Sequence, residues 1–288
     1  MQVSSLVACG FHAPQAKYLT KPAFGEIQNV FVHLHLHSEY SIVDGLIRIN
    51  DLVDRVAALG MPAVAVTDQS ALFSMVKFYR AAQARGIKPI IGADLWLAGD
   101  AAKRTRVVVL CQDAAGYRNL TEIITRSYTE GQVQGVPQVQ QEWLFARSEG
   151  LLLLSGAGGG EIGQVLAGGS KAEAKRRLRC WLDHFPNRYY LELQRTGRSG
   201  EAEYIDRALD LAAACHAPVV ATNDVRFVHP EDYEAHEARF CINAGRALAD
   251  PRRPKPYSPQ QYLRGAEEME ALWADVPEAV ENLSLIHI

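Results

Sequence analysis

Val32-His-Leu-His-Leu-His37 is the stretch on which the reading of this chain turns. Val32, Leu34 and Leu36 alternate with His33, His35 and His37, a period of two that predicts a β-strand. The spacing then becomes helical, with Leu52, Val53, Val56 and Leu59 recurring along Asp51–Leu59 before Gly60. The run Ala63–Thr67 (AVAVT) predicts a second strand, and Leu72–Arg85, stopped by Gly86, a second helix. Further strands are expected at Pro89–Gly92, Arg106–Leu110 (RVVVL), Leu151–Leu154, Tyr189–Leu193 and Val219–Thr222. Helices are expected around Leu120–Tyr128, Lys171–His184 and Glu201–Cys215. Short apolar strands alternating with amphipathic helices imply parallel pairing through right-handed crossovers. Seven or so such units favour a closed β/α barrel over an open doubly wound sheet. A Gly-x-Gly-x-x-Gly turn does not follow the first strand. Gly156–Gly163 (GAGGGEIG) has those letters but lacks the later acidic residue, so it reads as a flexible loop closing a barrel end.

The 288 residues allow one large or two small domains, and 48% hydrophobic against 22% charged residues excludes wholesale disorder. A net charge of −3 argues against a nucleic-acid-coating protein, though not against a domain of a larger nucleic-acid machine. No apolar run reaches the ~18–20 residues of a membrane span, and no secretory signal opens the chain. The five cysteines are scattered and never spaced Cys-x-x-Cys, which suits reduced thiols in a cytoplasmic protein. Lys171–Arg179 (KAEAKRRLR) reads as a solvated helix face, and Trp143, Trp181, Tyr189 and Tyr190 as core packing. Asp250–Pro259 (DPRRPKPYSP) reads as an extended connector, followed by short helical patterns at Ala266–Trp273 and Pro277–Leu283. The chain stops inside the second pattern, which suggests a fragment.

In a parallel barrel, chemistry gathers where strands give way to loops at the C-terminal face. His35, His37, Asp68, Asp94 and Asp224 all fall at such places. Two histidines at i and i+2 project from one strand face, so both imidazoles can reach one ion. With carboxylates from other strands they form a nitrogen and oxygen donor set suited to zinc, manganese or iron. The plainer alternative is that these side chains hydrogen-bond loop backbone. No Gly-x-Ser-x-Gly elbow, Walker loop or His-Glu-x-x-His competes with this cluster.

Several motifs in order carry a resemblance: HLHLHSEYSIVDG (33–45), LGMPAVAVTD (59–68), GIKPIIGAD (86–94), GYRNL (116–120), ATNDVRF (221–227) and YSPQQYL (257–263). The chain resembles the polymerase and histidinol phosphatase (PHP) domain at the N-terminus of the bacterial replicative DNA polymerase III α subunit, in its proteobacterial form with a degenerate metal site. The likeness runs from about Val30 to Asn282. It implies residues 1–29 as an atypical extension, 30–249 as a distorted seven-unit, TIM-like β/α barrel, and 250–288 as the connector and truncated start of the polymerase region.

In active members the family holds three metal ions at the strand ends. The resemblance places ligands at His35, His37, Asp44 and Asp224, with Asp94 where a glutamate is usual. Gln69, Arg106, Ala157 and Arg226 stand where ligands are lost. His35, His37, Asp94 and Asp224 could still surround one divalent ion, zinc or manganese. Phosphoester hydrolysis usually needs two or three cations, so the resemblance implies an inactive scaffold with no catalytic residue of its own and no required cofactor. The implied partners are the proofreading exonuclease (ε) subunit, the rest of the polymerase holoenzyme and, through the full-length protein, DNA. No membrane is implied. The magnesium-dependent polymerase site would lie beyond residue 288. The alternative is a working metal-dependent phosphoesterase or 3′–5′ exonuclease. Arg106 and Arg226 are expected to replace the lost cations beside Asp44, Asp94 and Asp224, because a guanidinium is a permanent charge with a carboxylate-matching fork.

Overall fold

The computed structural model describes residues 31–99 and 104–287, with side chains to residue 283. The reading of residues 1–29 as an extension lies outside them. Ten α-helices are described: α1 (Ile49–Ala58), α2 (Met75–Ala84), α3 (Ala114–Thr129), α4 (Gln141–Ala146), α5 (Glu161–Ala167), α6 (Lys171–His184), α7 (Glu201–Cys215), α8 (Tyr233–Ala244), α9 (Ala266–Leu272) and α10 (Glu278–His287). The strands are β1 (Ala63–Gln69), β2 (Lys88–Leu97), β3 (Thr105–Cys111), β4 (Gln132–Val133), β5 (Val136–Pro137), β6 (Leu151–Leu154), β7 (Tyr189–Gln194) and β8 (Val219–Thr222).

The main sheet has six strands in the order β1-β2-β3-β6-β7-β8, while β4 and β5 form a separate hairpin. Pairing is parallel for β1–β2, β6–β7 and β7–β8, but β3 runs antiparallel to both β2 and β6. This corrects the all-parallel expectation. Only residues 98–104 separate β2 from β3, too few for the dozen or more residues of a helical crossover, so the chain reverses directly.

Residues 33–37 form a seam rather than a regular strand. Ala65 and Thr67 donate their N–H groups to the carbonyls of His33 and Leu36 (both 2.8 Å). On the other side, His37 N donates to Val225 O (2.9 Å) and Val225 N to His35 O (3.0 Å). The Thr67 hydroxyl accepts from Leu36 N at 3.0 Å, which replaces one rung of the ladder and breaks its regularity. The six strands curl so that this segment joins their two edges, giving a distorted TIM-like α/β barrel.

Burial explains why these segments become staves. Leu151–Leu154 is covered on both faces, as expected of an interior strand between the barrel core and outer helices. Leu52, Val53 and Val56 of α1 and Phe78 of α2 pack into the same core. Each fully buried side chain of this size stabilises the fold by ~1.5–3 kcal/mol. Trp181 stacks on Tyr189 with ring centroids 5.3 Å apart, so these aromatics do serve the core. On α6, Arg176 and Arg177 pair with Glu173, and Arg177 also reaches Glu161.

The glycines after β6 permit close backbone packing. A Cβ on Gly160 would lie 1.6 Å from Ser155 O, and one on Gly156, in the left-handed region at φ +78°, would lie 2.4 Å from Arg106 O. The proline-rich stretch and the residues after it are joined to the barrel. Arg226 N donates to Gln261 O (2.8 Å) and Leu263 N to Phe227 O (3.1 Å). Asn223 Nδ2 donates to both Gln260 O and Tyr262 O at 2.8 Å. Asn282 of α10 donates to Val219 O of β8 at 2.8 Å.

Candidate functional site

The seam, β2, β3 and the turn after β8 bring their polar side chains to one end of the barrel. Ligand atoms of His35, His37 and Asp94 lie within 4.8 Å of one another, and all three residues are buried. Asp224 Oδ1 is 3.5 Å from His35 Nε2. Asp94 comes from the middle of β2, and Trp96 pairs with Arg106 across the β2–β3 ladder. Asp94 and Arg106 are therefore diagonal neighbours on one sheet face, within reach of a long side chain. Asp224 sits in the left-handed region at φ +43°, a conformation that aspartate tolerates better than most residues.

Both arginines at lost ligand positions contact carboxylates. Arg106 Nη2 donates to Asp94 Oδ2 and, at 3.0 Å, to Gln69 Oε1. Arg226 is fully buried. Its Nη1 donates to Asp44 Oδ2 at 2.6 Å, its Nε to Asp224 Oδ1 at 2.9 Å, and its Nη2 to that same oxygen. Gln69 Nε2 also donates to Asp94 O (2.7 Å), so this residue positions Arg106. Ala157 is buried at φ +50° and offers no ligand atom.

Electrostatics follow from this pairing. Burial alone would raise the Asp44 carboxyl, but Arg226 and His37 hold it well below the usual carboxylate range. Burial likewise opposes ionisation of Asp94 and Asp224, and is outweighed at Asp94 by Arg106 and His35 and at Asp224 by Arg226 and His35. For His35, burial favours the neutral ring, yet Glu192, Asp224 and Asp94 together push its pKa up to about 10.

Asp68, a sequence candidate, and the neighbouring His33 have other partners. Asp68 accepts from Ser38 N (2.7 Å) and from the hydroxyls of Ser38, Ser41 and Ser74, the last at 2.7 Å. Its lone pairs are spent on the loops, which corrects its reading as a candidate metal ligand. His33 turns its Nε2–H to Arg264 O (3.0 Å), and burial lowers its pKa to about 4, so it remains neutral.

Other contributors were not among the site candidates, although Tyr257 and Gln261 lie in the quoted YSPQQYL stretch. Glu192 Oε1 lies 2.7 Å from His35 Nδ1 and accepts from Gln194 and Thr222. Arg198 and Gln261 donate to Asp224 Oδ2 at 3.0 and 2.9 Å, and the Tyr257 hydroxyl reaches Asp44 Oδ2 at 3.1 Å. For Glu192 the available signal was an acid inside the wholly buried strand YYLELQ.

The donor set fits one small cation. His35 Nε2 and Asp94 Oδ1 are buried without a hydrogen-bond partner, and His35 lines a cavity of ≈ 390 Å³ at the barrel mouth. The remaining oxygens of Asp44, Asp94 and Asp224 are engaged by guanidinium, amide, imidazole or phenol groups, which leaves little capacity for a second or third ion.

A mixed sheet curled into a β/α barrel, with a His-x-His segment at its mouth, defines the class, and residues 33–196 match the PHP domain family. The chain belongs to that family. It is 53% identical over 254 residues to the DNA polymerase III subunit alpha of Pseudomonas aeruginosa, covering 88% of this chain and 22% of that protein. It is 48% identical over 256 residues to the subunit of the same name from Escherichia coli strain K12, with 88% and 22% covered. The chain thus spans about a fifth of the length of these curated relatives. A solved amidohydrolase from Chromobacterium violaceum matches with a TM-score of 0.48 at 15% identity, covering 68% of this chain and 87% of that one.

Proposed function

We propose that this chain is the N-terminal barrel of a cytoplasmic replicative DNA polymerase, acting as a non-catalytic scaffold and as a dock for the proofreading exonuclease subunit. The observation that carries the scaffold reading is the placement of Arg106 and Arg226 on Asp94, Asp44 and Asp224. These guanidinium groups stay protonated at any usable pH and occupy the carboxylate oxygens that further cations would need. Template-directed synthesis, with its magnesium ions and DNA contacts, then belongs to chain beyond residue 288. Among the described residues no helix is long and apolar enough to cross a membrane.

A zinc or manganese ion, where held, would sit on His35, His37 and Asp94 with Asp224 beside them. Such an ion supplies Lewis acidity toward a phosphoryl oxygen. The chain's own groups do the rest: Glu192 fixes the His35 ring, Gln69 and Asp94 hold Arg106, and Arg226 ties Asp44 to Asp224. The unpartnered His35 Nε2 and Asp94 Oδ1 favour the second reading, a metal-dependent phosphoesterase.

Elemental analysis of the purified protein after dialysis, paired with phosphoesterase, 3′-exonuclease and primer-extension assays in manganese and magnesium, separates the two. At most one ion per chain and no turnover in any assay are expected. Two or more retained ions, or release of 3′ nucleotides that chelation abolishes, would shift the assignment to the phosphoesterase.

A further inference from the structure

Arg226 faces two ways. Its guanidinium holds Asp44 and Asp224, while its backbone N–H donates to Gln261 O at 2.8 Å and its carbonyl accepts from Leu46 N at 3.0 Å. Gln261 lies in the stretch that follows the prolines and is wholly buried. Its Nε2 donates to Asp224 Oδ2 at 2.9 Å and to Asp224 O at 3.0 Å, and its Oε1 accepts from Ser258 N at 3.0 Å. Both polar atoms of the side chain are thus spent, one on an acid of the barrel mouth and one on its own segment.

Tyr257 makes a second insertion from the same segment. Its hydroxyl donates to Asp44 Oδ2 at 3.1 Å, the oxygen that also accepts from Arg226 Nη1. Its ring meets His236 edge-on at 4.6 Å and lies 5.5 Å from the Arg226 guanidinium. Apolar burial contributes less, since Leu263 is the only fully buried apolar side chain between residues 257 and 263. Hydrogen bonds to ionised acids are roughly twice as strong as neutral ones and depend on the acid keeping its charge and place. A segment seated by oil would be indifferent to the cluster. This one is seated on it.

We propose that residues 257–263 form a clasp whose closure is set by the arginine–carboxylate cluster, so that a change in the cluster is passed to the chain leading beyond residue 288. Coupling of this kind needs an element with two arrangements that both ends can bias. In the closed arrangement Tyr257 and Gln261 sit on Asp44 and Asp224. In the open one those donors return to water, Arg226 loses the Gln261 carbonyl, and the path of the following segment is no longer fixed. Arg226 is the hub, because one residue carries both the side-chain bonds to the acids and the backbone bond to the clasp. The clasp is independent of whether the barrel hydrolyses phosphoesters.

Amide hydrogen exchange of the 288-residue chain, read by mass spectrometry, tests this through crossed perturbations. Asp44→Asn keeps the side chain's shape but removes its charge. Exchange across 258–263, where the Leu263 amide bonds Phe227 O, is expected to rise at least tenfold in this variant, with β1 and α3 unchanged. In the opposite sense, Gln261→Ala should speed exchange at Gly45 and Leu46 by a comparable factor, although Gln261 bonds neither residue. Tyr257→Phe, which lacks only the hydroxyl, should loosen both regions in the same direction. If Asp44→Asn also loosens β1 and so unfolds the barrel, Gln261→Ala and Tyr257→Phe decide. Exchange that rises only beside each substituted residue would overturn the coupling and leave these contacts as local struts. Clasp amides that exchange in wild type as fast as an unfolded chain would overturn the closed arrangement itself.

Discussion

Arg226 shows what one side chain can hold together. It bonds acids from two distant stretches, Asp44 and Asp224, and is wholly shut off from water. Removing one partner from a buried ion pair leaves the other charges uncompensated, which costs far more than the pair's net contribution. Arg226→Ala is therefore expected to lower stability by about 3–5 kcal/mol, read from the urea midpoint at constant m-value. Arg226→His with added zinc or manganese should recover part of that loss. A variant that melts with wild type would show that the cluster tolerates its acids unpaired. At this scale the sequence is informative where a residue type is odd for its place. His35 and His37 on a strand and Arg226 after Asn-Asp stand out. Arg198 does not, because polar residues in loops are ordinary and only folding brings it to Asp224.

Among the elements, α9 offers a clean case of a charge acting at a helix start. Glu268 accepts the Gly265 backbone N–H at 3.0 Å and the Tyr262 hydroxyl at 2.6 Å. Partial burial opposes ionisation, but these two donors and Arg264 hold the carboxyl below its ordinary value of 4.5. The folded state thus binds this proton less readily than the unfolded chain. The stabilisation is complete above about pH 4.5 and is lost as pH falls below it. Glu268→Ala is expected to cost roughly 0.5–1 kcal/mol at pH 7, kept small by exposure, and less at pH 3. Urea midpoints at the two pH values check this. The elements themselves were largely legible. The expected strands from AVAVT onward and the expected helices are present, since β-branched runs such as AVAVT and RVVVL bury both faces. However, α5 begins inside Gly156–Gly163, read as a loop, and α4 and α8 were not expected. Strand direction was harder to read, because hydropathy does not encode orientation. The short 98–104 link was the available clue to the reversal. The seam lost its regular pairing to the Thr67 hydroxyl, a tertiary contact that alternation cannot reveal.

At the scale of the molecule, the stretch after the prolines belongs to the barrel's hydrogen-bond economy. Asn223, Arg226 and Phe227 all bond to residues 260–263, and Trp273, Ala279 and Leu283 are fully buried. Ending the chain at residue 249 would strip these partners and open that apolar face. Such a truncation is expected to melt well below the 288-residue chain or to aggregate, as calorimetry and size exclusion would show. Equal melting temperatures would mean that the barrel is complete at residue 249.

The arginine pairs also change how the fold depends on its surroundings. A dissociable ion stabilises a folded state by an amount that grows with its free concentration and vanishes when the medium is stripped of it. A guanidinium on its own backbone is present at a fixed local concentration that no chelator can lower. In this barrel much of the positive charge balancing Asp44, Asp94 and Asp224 is inherited with the chain rather than drawn from solution. To that extent the fold is insulated from metal scarcity.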